Sequence, residues 1–289
     1  MRVLVTGGTG FLGRRVIPLL AQHDLLCISR QPEFLPNIPS VNVIASNLAT
    51  DRDWVAKVAK FQPEWCLHLA WEGLPDYSFE RCRSNLDISL RLLDVLVQSG
   101  LKRIVVAGTC WEYGRASGRV TEDQEPINVE LFAATKASLL NVLSSISRSA
   151  GFEYKWGRIF FVYGPGQRST SLLPSLRHAY VSNLVPDIRT PETLQDFIHV
   201  DDVAAGLVSL VSSDAPSGVF NVGSGRPTSV AQVANITADF YKKARPFTDI
   251  SDGTGFWAST EKIISATGWC PRIDIDEGIA STLEVLDGR

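Results

Sequence analysis

The chain opens on a short apolar run, Val3-Leu4-Val5, that passes directly into Thr6-Gly7-Gly8-Thr9-Gly10-Phe11-Leu12-Gly13 and then into an amphipathic stretch. No other feature limits the fold so strongly. A strand, a glycine-rich turn and a helix start in immediate succession form an anion site: backbone N–H groups approach the ligand, and the helix dipole adds partial positive charge. Each glycine has a steric reason. Gly7 serves the turn, Gly10 the close approach of the ligand, and Gly13 the packing of helix on sheet. The stretch predicts a parallel-sheet α/β fold whose first crossover cradles the pyrophosphate of a dinucleotide.

The rest of the first half continues that alternation. Strands are expected at Arg2–Val5, Leu25–Ser29, Val41–Ile44, Trp65–Leu69, Arg103–Ala107 and Tyr154–Phe160, from short β-branched runs. Helices are expected at Phe11–Gln22, Asp51–Phe61, Arg81–Ser99 and Leu131–Arg148, where apolar residues recur at helical spacing. After Tyr163-Gly164-Pro165-Gly166 the pattern loosens. It returns as a strand at Phe197–Val200, a helix at Asp202–Val211, a strand at Gly218–Val222, and helical segments at Val230–Tyr241 and Thr260–Thr267. The expected architecture is a Rossmann-type doubly wound parallel sheet with a smaller C-terminal substrate-binding lobe. Residues 1–163 and 196–225 would form the first part, 164–195 and 226–289 the second.

Composition narrows the partners. Over 289 residues the formal net charge is −3, which argues against nucleic acid or an anionic membrane, since both reward a basic face. No apolar run approaches the roughly 20 residues of a membrane span, and Met1 leads straight into a strand, so a cytoplasmic protein is expected. The five cysteines are scattered without a C-x-x-C pair, and the four histidines have no metal-ligand spacing. Free thiols and no metal are the expectation.

The end of the second strand bears on the dinucleotide. An acidic residue there would accept hydrogen bonds from the adenosine ribose and repel a 2′-phosphate. Ser29-Arg30 occupies that point, and a hydroxyl beside a guanidinium suits a phosphate dianion. NADP(H) is the expected cofactor.

These residues resemble the extended short-chain dehydrogenase/reductase family, the NAD-dependent epimerase/dehydratase group acting on nucleotide sugars. The resemblance runs nearly end to end. It includes Thr6–Gly13, His68-Leu69-Ala70, Asn85, Thr109 through Gly114, Thr135-Lys136, Arg158 and Tyr163-Gly164-Pro165-Gly166. It continues through Asp196-Phe197-Ile198-His199-Val200-Asp201-Asp202, Phe220-Asn221-Val222-Gly223 and Gly268-Trp269. It implies a second lobe that holds a nucleotide sugar over the nicotinamide, and commonly a homodimer through the helices at Arg81–Ser99 and Leu131–Arg148.

The resemblance also assigns residues. Cofactor contacts would come from Gly7, Thr9, Gly10, Phe11, Leu12 and Gly13, from Ser29 and Arg30, and from Asn47 and Leu48. Further contacts would come from Leu69, Ala70, Trp71, Asn85, Ala107, Lys136, Phe160 and Val162. Trp71, Glu72, Thr109, Cys110, Trp111, Phe132, Phe161 and Leu172 would meet the sugar, with Arg168 and Arg226 on its diphosphate. The catalytic positions are Thr109, Phe132 and Lys136. Family members use a tyrosine four residues before the lysine as proton relay, with the ammonium lowering the phenol pKa and a Ser or Thr hydroxyl orienting the reacting oxygen.

Here the tyrosine position is Phe132, and Phe moves no proton. Three readings stay open: an engineered variant, a natural enzyme protonating from Thr109, Cys110, Glu112 or water, or a non-catalytic NADP-sensing protein. The neighbouring residues bear on the reaction. The family's 4,6-dehydratases carry Thr-Asp-Glu where this chain has Thr109-Cys110-Trp111, so elimination lacks its carboxylates. Epimerase/reductases similar to GDP-fucose synthase carry a cysteine at Trp111 and a histidine near Ser171. UDP-galactose-type 4-epimerases carry an acid where Ser29-Arg30 stands. The remaining expectation is NADPH-dependent reduction of a nucleotide-linked 4-keto-6-deoxyhexose, with a 4-epimerase or the sensor as alternatives.

Overall fold

The computed structural model describes residues 1–36, 38, 41–248 and 253–288. In chain order its first half runs β1 (Arg2–Thr6), α1 (Gly13–Leu19), β2 (Asp24–Ser29), β3 (Val41–Ala45), α2 (Asp53–Phe61), β4 (Trp65–His68), α3 (Phe79–Gln98), β5 (Arg103–Thr109), β6 (Gly118–Val120) and α4 (Leu131–Ala150). The second half runs β7 (Glu153–Ile159), β8 (Phe161–Tyr163), α5 (Leu172–Val181), β9 (Leu194–Gln195), β10 (Phe197–His199), α6 (Val200–Ser212), β11 (Gly218–Val222), β12 (Thr228–Ser229), α7 (Val230–Phe240), β13 (Gly255–Ala258), α8 (Glu261–Thr267) and α9 (Ile275–Leu286).

The strands β11-β7-β5-β4-β1-β2-β3 form one sheet in that order, and every pairing in it is parallel. From β1 the chain winds outward to β3, then returns to the other side of β1 at β4. The reversal opens a crevice beyond the C-terminal ends of Thr6 and His68, which pair across the two strands. Both faces of the sheet are covered. Val3 and Val5 point into a core with Val16 and Ile17 of α1 and Val203 and Leu207 of α6. Leu4 points the other way, toward Trp54 of α2, Leu92 of α3 and Leu139 of α4. Strands buried on both faces read as unbroken apolar runs, which is why the β-branched segments were informative.

Beyond the sheet, β12-β9-β13-β6 form a second small sheet, and β10 pairs with β8. Helices α5, α7 and α9 share a further core built from Leu173, Leu176, Val233, Ile279 and Leu283. Residues 118–120 thus leave the first half of the chain to pair with β13.

Three departures from the expected elements have physical causes. Helix α1 ends at Leu19, not Gln22, because Pro18 removes a donor from the last turn. The chain closes there with Leu20 N–H to Ile17 C=O (3.1 Å) and Ala21 N–H to Pro18 C=O (3.3 Å). Helix α5 lies in the stretch where the sequence pattern loosens, with Pro174 in its first turn, where a missing N–H costs nothing. Helix α9 is an additional segment whose apolar residues fall at Ile275, Ile279 and Leu283, behind an Asp274 N-cap.

Candidate active site

The crevice is built from the glycine-rich turn upward. Gly7 has φ +74°, and a Cβ on it would lie 2.8 Å from the Ala70 nitrogen, so a side chain is excluded twice over. Below it, Thr6 Oγ1 bonds His68 Nδ1 (2.7 Å) and accepts the Ala70 N–H (3.3 Å), while His68 Nε2 meets Ser89 Oγ (3.0 Å). Full burial pushes the imidazole pKa down to about 3, so His68 is a neutral strut between β1, β4 and α3.

Next to the turn, Thr9, Phe11, Arg14, Arg15, Pro165 and Gly166 line a cavity of about 380 Å³. Gly10 is open toward solvent there, its nearest neighbour to an added Cβ being the Gly7 carbonyl at 3.1 Å. An open glycine turn with N–H groups and two arginines beside it fits a pyrophosphate. At the end of β2, Ser29 is buried, accepts the Gln31 N–H (3.1 Å) and meets Thr9 Oγ1 (3.1 Å). Arg30 projects into solvent and pairs with Glu72 at 3.4 Å.

A second cavity, about 540 Å³, adjoins the first through Phe11 and Gly166. Leu12, Leu69, Trp71, Ala107, Thr109, Cys110, Trp111, Phe132, Lys136, Phe160, Phe161, Val162 and Arg168 all line it, so most of the expected contacts converge on one space. Thr109 ends β5 and caps the short 3₁₀ turn Cys110–Tyr113: its hydroxyl accepts the Trp111 N–H (3.3 Å), and Glu112 accepts the Thr109 N–H (2.8 Å). Lys136, one turn along α4 from Phe132, donates to the Ala107 carbonyl at 2.7 Å and lies 4.1 Å from the centre of the Trp71 ring. Burial pushes its pKa down to about 8.

Phe132 itself is buried in an aromatic box. Its ring centre is 5.3 Å from Trp71, 5.1 Å from Tyr77 and 5.9 Å from Trp111. Tyr77 lines the same cavity and had no part in the sequence reading, because nothing in Leu74-Pro75-Asp76-Tyr77 marks it locally.

Two suggested acids are set aside by their surroundings. Glu112 is sealed from the cavity, accepting from Trp156 Nε1 (3.0 Å) and Arg158 Nε (3.0 Å); burial raises its pKa against the pull of Arg158. Cys110 is buried, and desolvation together with nearby Asp196 and Glu112 holds its thiol well above the usual range.

Six other residues sit differently from the expectation. Glu72, expected at the sugar, turns to Arg30 instead of lining the cavity. Asn85, expected at the cofactor, spends its amide on the chain beside it: Oδ1 accepts the Glu72 N–H (2.7 Å), and Nδ2 donates to the Glu72 and Arg81 carbonyls. Leu172 lines a smaller cavity with Tyr163, Leu173 and Ile279 that adjoins the larger one through Val162 and Gln167. Arg226 borders another, with Arg272 and Asp274, and pairs with Asp274 at 3.0 Å. Leu48 is buried in the core beside α2 and α3, while Asn47 turns its amide oxygen to the Ala49 N–H (2.9 Å).

Comparison with known proteins places this geometry. Residues 3–223 match the family model described as the NAD dependent epimerase/dehydratase family. The chain belongs to that family. Among curated members it is 24% identical to the dTDP-L-rhamnose 4-epimerase of Burkholderia thailandensis, over 96% of this chain and 93% of that one. It is 22% identical to the dTDP-4-dehydro-6-deoxyglucose reductase of Escherichia coli, covering 98% and 97%. Among solved structures of this NAD-dependent epimerase/dehydratase fold, MoeE5 in complex with UDP-glucuronic acid and NAD superposes with a TM-score of 0.86 at 29% identity, over 100% of this chain and 99% of that one. The relatives include epimerases, a dehydratase and a reductase acting on nucleotide sugars, so family membership alone does not choose the reaction.

Proposed function

We propose that this protein reduces the keto group of a nucleotide-linked 4-keto-6-deoxyhexose with NADPH. The observation that carries the reading is the lining of the larger cavity. It brings Thr109 and Lys136 together, yet among its described residues there is no carboxylate. Elimination and epimerisation beside a ketone both need an acid/base pair next to the sugar, whereas reduction needs only a hydride source, an oriented carbonyl and one proton. NADPH, when bound, supplies the hydride. Thr109 Oγ orients the sugar oxygen, Lys136 Nζ holds the nicotinamide ribose, and the apolar walls from Trp71, Trp111 and Phe161 exclude water and accept the deoxysugar's methyl-bearing face. Arg168 lies at the edge of the same cavity, within the neighbourhood of a diphosphate.

NADPH over NADH rests on Ser29 and Arg30, which stand where an acid would hold an unphosphorylated ribose. Titration of both cofactors into the protein tests this, with NADPH expected to bind tighter by about tenfold or more, as one charge-assisted contact would give. Arg30→Ala should erase most of that gap. Equal affinities in the unmodified protein would sink the assignment. The working unit is proposed to be a cytoplasmic homodimer.

A further inference from the structure

We propose that Tyr77 supplies the proton that family members take from the tyrosine replaced here by Phe132. The inference rests on the reductase reading above and names the acid that reading lacks. Tyr77 lines the cavity that holds Thr109 and Lys136. Its ring is 5.1 Å from Phe132, tilted by 49°, and 5.4 Å from Trp111. A phenol therefore stands one ring contact away from the place where the family's phenol would be.

The side-chain donors considered from the sequence, Thr109, Cys110 and Glu112, are each sealed off or weaker acids. Glu112 is enclosed by Trp156 and Arg158, and the Cys110 thiol is held protonated by burial. The Thr109 hydroxyl is a far weaker acid than a phenol, and it already accepts the Trp111 N–H. Tyr77 is different. Tyr113, Tyr154, Tyr180 and Tyr241 give their hydroxyls to Asn221, Ser144, the Ala234 carbonyl and Asp287. Among the described residues the hydroxyls of Tyr77 and Tyr163 have no protein partner, and of these two only Tyr77 lines the cavity that holds Thr109 and Lys136, where a ligand can take it.

The loop that carries Tyr77 is fixed on both sides. Asn85 clamps Glu72 on one side, and Asp76 N–H donates to the Gly73 carbonyl (2.8 Å). On the other, Asp76 accepts the Ser78 N–H (2.9 Å), and the Cys82 thiol donates to the Tyr77 carbonyl (3.6 Å). A general acid on a loop needs such preorganisation. A reduced nicotinamide, when bound, would supply the hydride to the carbonyl carbon, and the C=O π pair would take up a proton as the new O–H bond. The proton in that bond leaves Tyr77 Oη, and water then reprotonates the phenolate.

The test compares the unmodified protein with Tyr77→Phe, Phe132→Tyr and the double variant. Turnover is followed by NADPH absorbance on a set of dTDP- and UDP-4-keto-6-deoxyhexoses. Sugar binding is followed separately by tryptophan fluorescence in cofactor-free protein, since Trp111 borders the cavity. Tyr77→Phe should lower kcat by about 10²-fold or more, typical of losing a general acid, while the dissociation constant for the sugar moves less than about threefold. Adding Phe132→Tyr to Tyr77→Phe should restore at least about tenfold, because a phenol returns to the family position. A Tyr77→Phe variant that turns over like the unmodified protein overturns the inference and leaves the reductase reading standing. Loss of sugar binding in that variant also overturns it, making Tyr77 a wall of the pocket. Activity confined to proteins carrying Phe132→Tyr overturns it as well. If all four proteins bind the sugars and none reduces them, the reductase reading falls and the inference falls with it.

Discussion

At the scale of single residues, the site keeps a cation in an apolar box. Lys136 is held by one carbonyl and one indole face, no carboxylate among the described residues pairs with it, and burial lowers its pKa from 10.5 to about 8. The folded state thus binds its proton less well than the unfolded chain does. Below pH 8 both states are protonated, and the cost of the buried cation is fully present; it disappears as pH rises from 8 to 10.5. At neutral pH Lys136→Met should therefore raise stability, by an amount on the order of 1–3 kcal/mol. The advantage should shrink toward zero above pH 10. Urea unfolding at pH 7 and pH 10 checks both halves, and a Met variant less stable than the parent at pH 7 would show that the carbonyl and indole more than offset desolvation. The same substitution should weaken cofactor binding, the usual exchange of stability for function. The family resemblance placed Thr109, Phe132 and Lys136 at one site, and all three line the larger cavity. Tyr77 was not so placed, because its role depends on which ring it touches. Glu72 and Arg226 were misplaced for a related reason: a charge in a loop takes the partner that folding brings to it, here Arg30 and Asp274.

Among the elements, those legible in the sequence were the ones with long or doubly buried patterns. Each strand of the central sheet and the helices α3 and α4 fell within a few residues of expectation. The two- and three-residue strands β6, β9 and β12 did not, since so short a segment carries no period of its own and exists only by pairing. Helices α3 and α4 also bear on assembly. One stripe of each enters the core, through Leu92 and Leu96 on α3 and Leu139 and Leu143 on α4. Leu86, Leu90 and Val97 on α3, with Leu140 and Ile146 on α4, remain only partly buried, while Phe79, Leu131 and Val142 are exposed. Two such helix pairs brought together would cover these side chains in a four-helix interface. Sedimentation at micromolar concentration should give twice the 31.7 kDa of one chain, and Leu86→Glu with Val142→Glu should give the single chain. A monomer before mutation counts decisively against the helix-pair dimer.

At the scale of the whole molecule, the seven-stranded sheet meets the small sheet β12-β9-β13-β6 where the chain passes from β9 to β10. Asp196 sits at that junction, fully buried just ahead of β10. Its Oδ1 accepts the Ser224 N–H and hydroxyl, each at 2.6 Å, and its Oδ2 accepts the Gly225 N–H (2.9 Å) and the Ala258 N–H (3.0 Å). One carboxylate thereby ties the loop after β11 to the end of β13. Burial pushes its pKa up, while these four donors pull it down, and only an acceptor-only side chain satisfies them all. An aspartate ahead of a predicted strand could be seen in the sequence; that it gathers donors from residues 28 and 62 positions away could not. Asp196→Asn preserves the shape and inverts half the chemistry. Whichever way the amide is turned, its NH₂ faces two groups that can only donate or already do, and the charge that strengthened the other pair is gone. Losing two charge-assisted bonds and leaving buried donors unpaired should cost about 3–5 kcal/mol. Urea unfolding should show that loss with an unchanged m-value, since the surface exposed on unfolding is the same. On the proposed function, affinity for the nicotinamide cofactor, set by the glycine-rich turn, should change less than affinity for the nucleotide sugar. A variant within about 0.5 kcal/mol of the parent, the range of ordinary surface changes, would mean that Asp196 does not hold the junction.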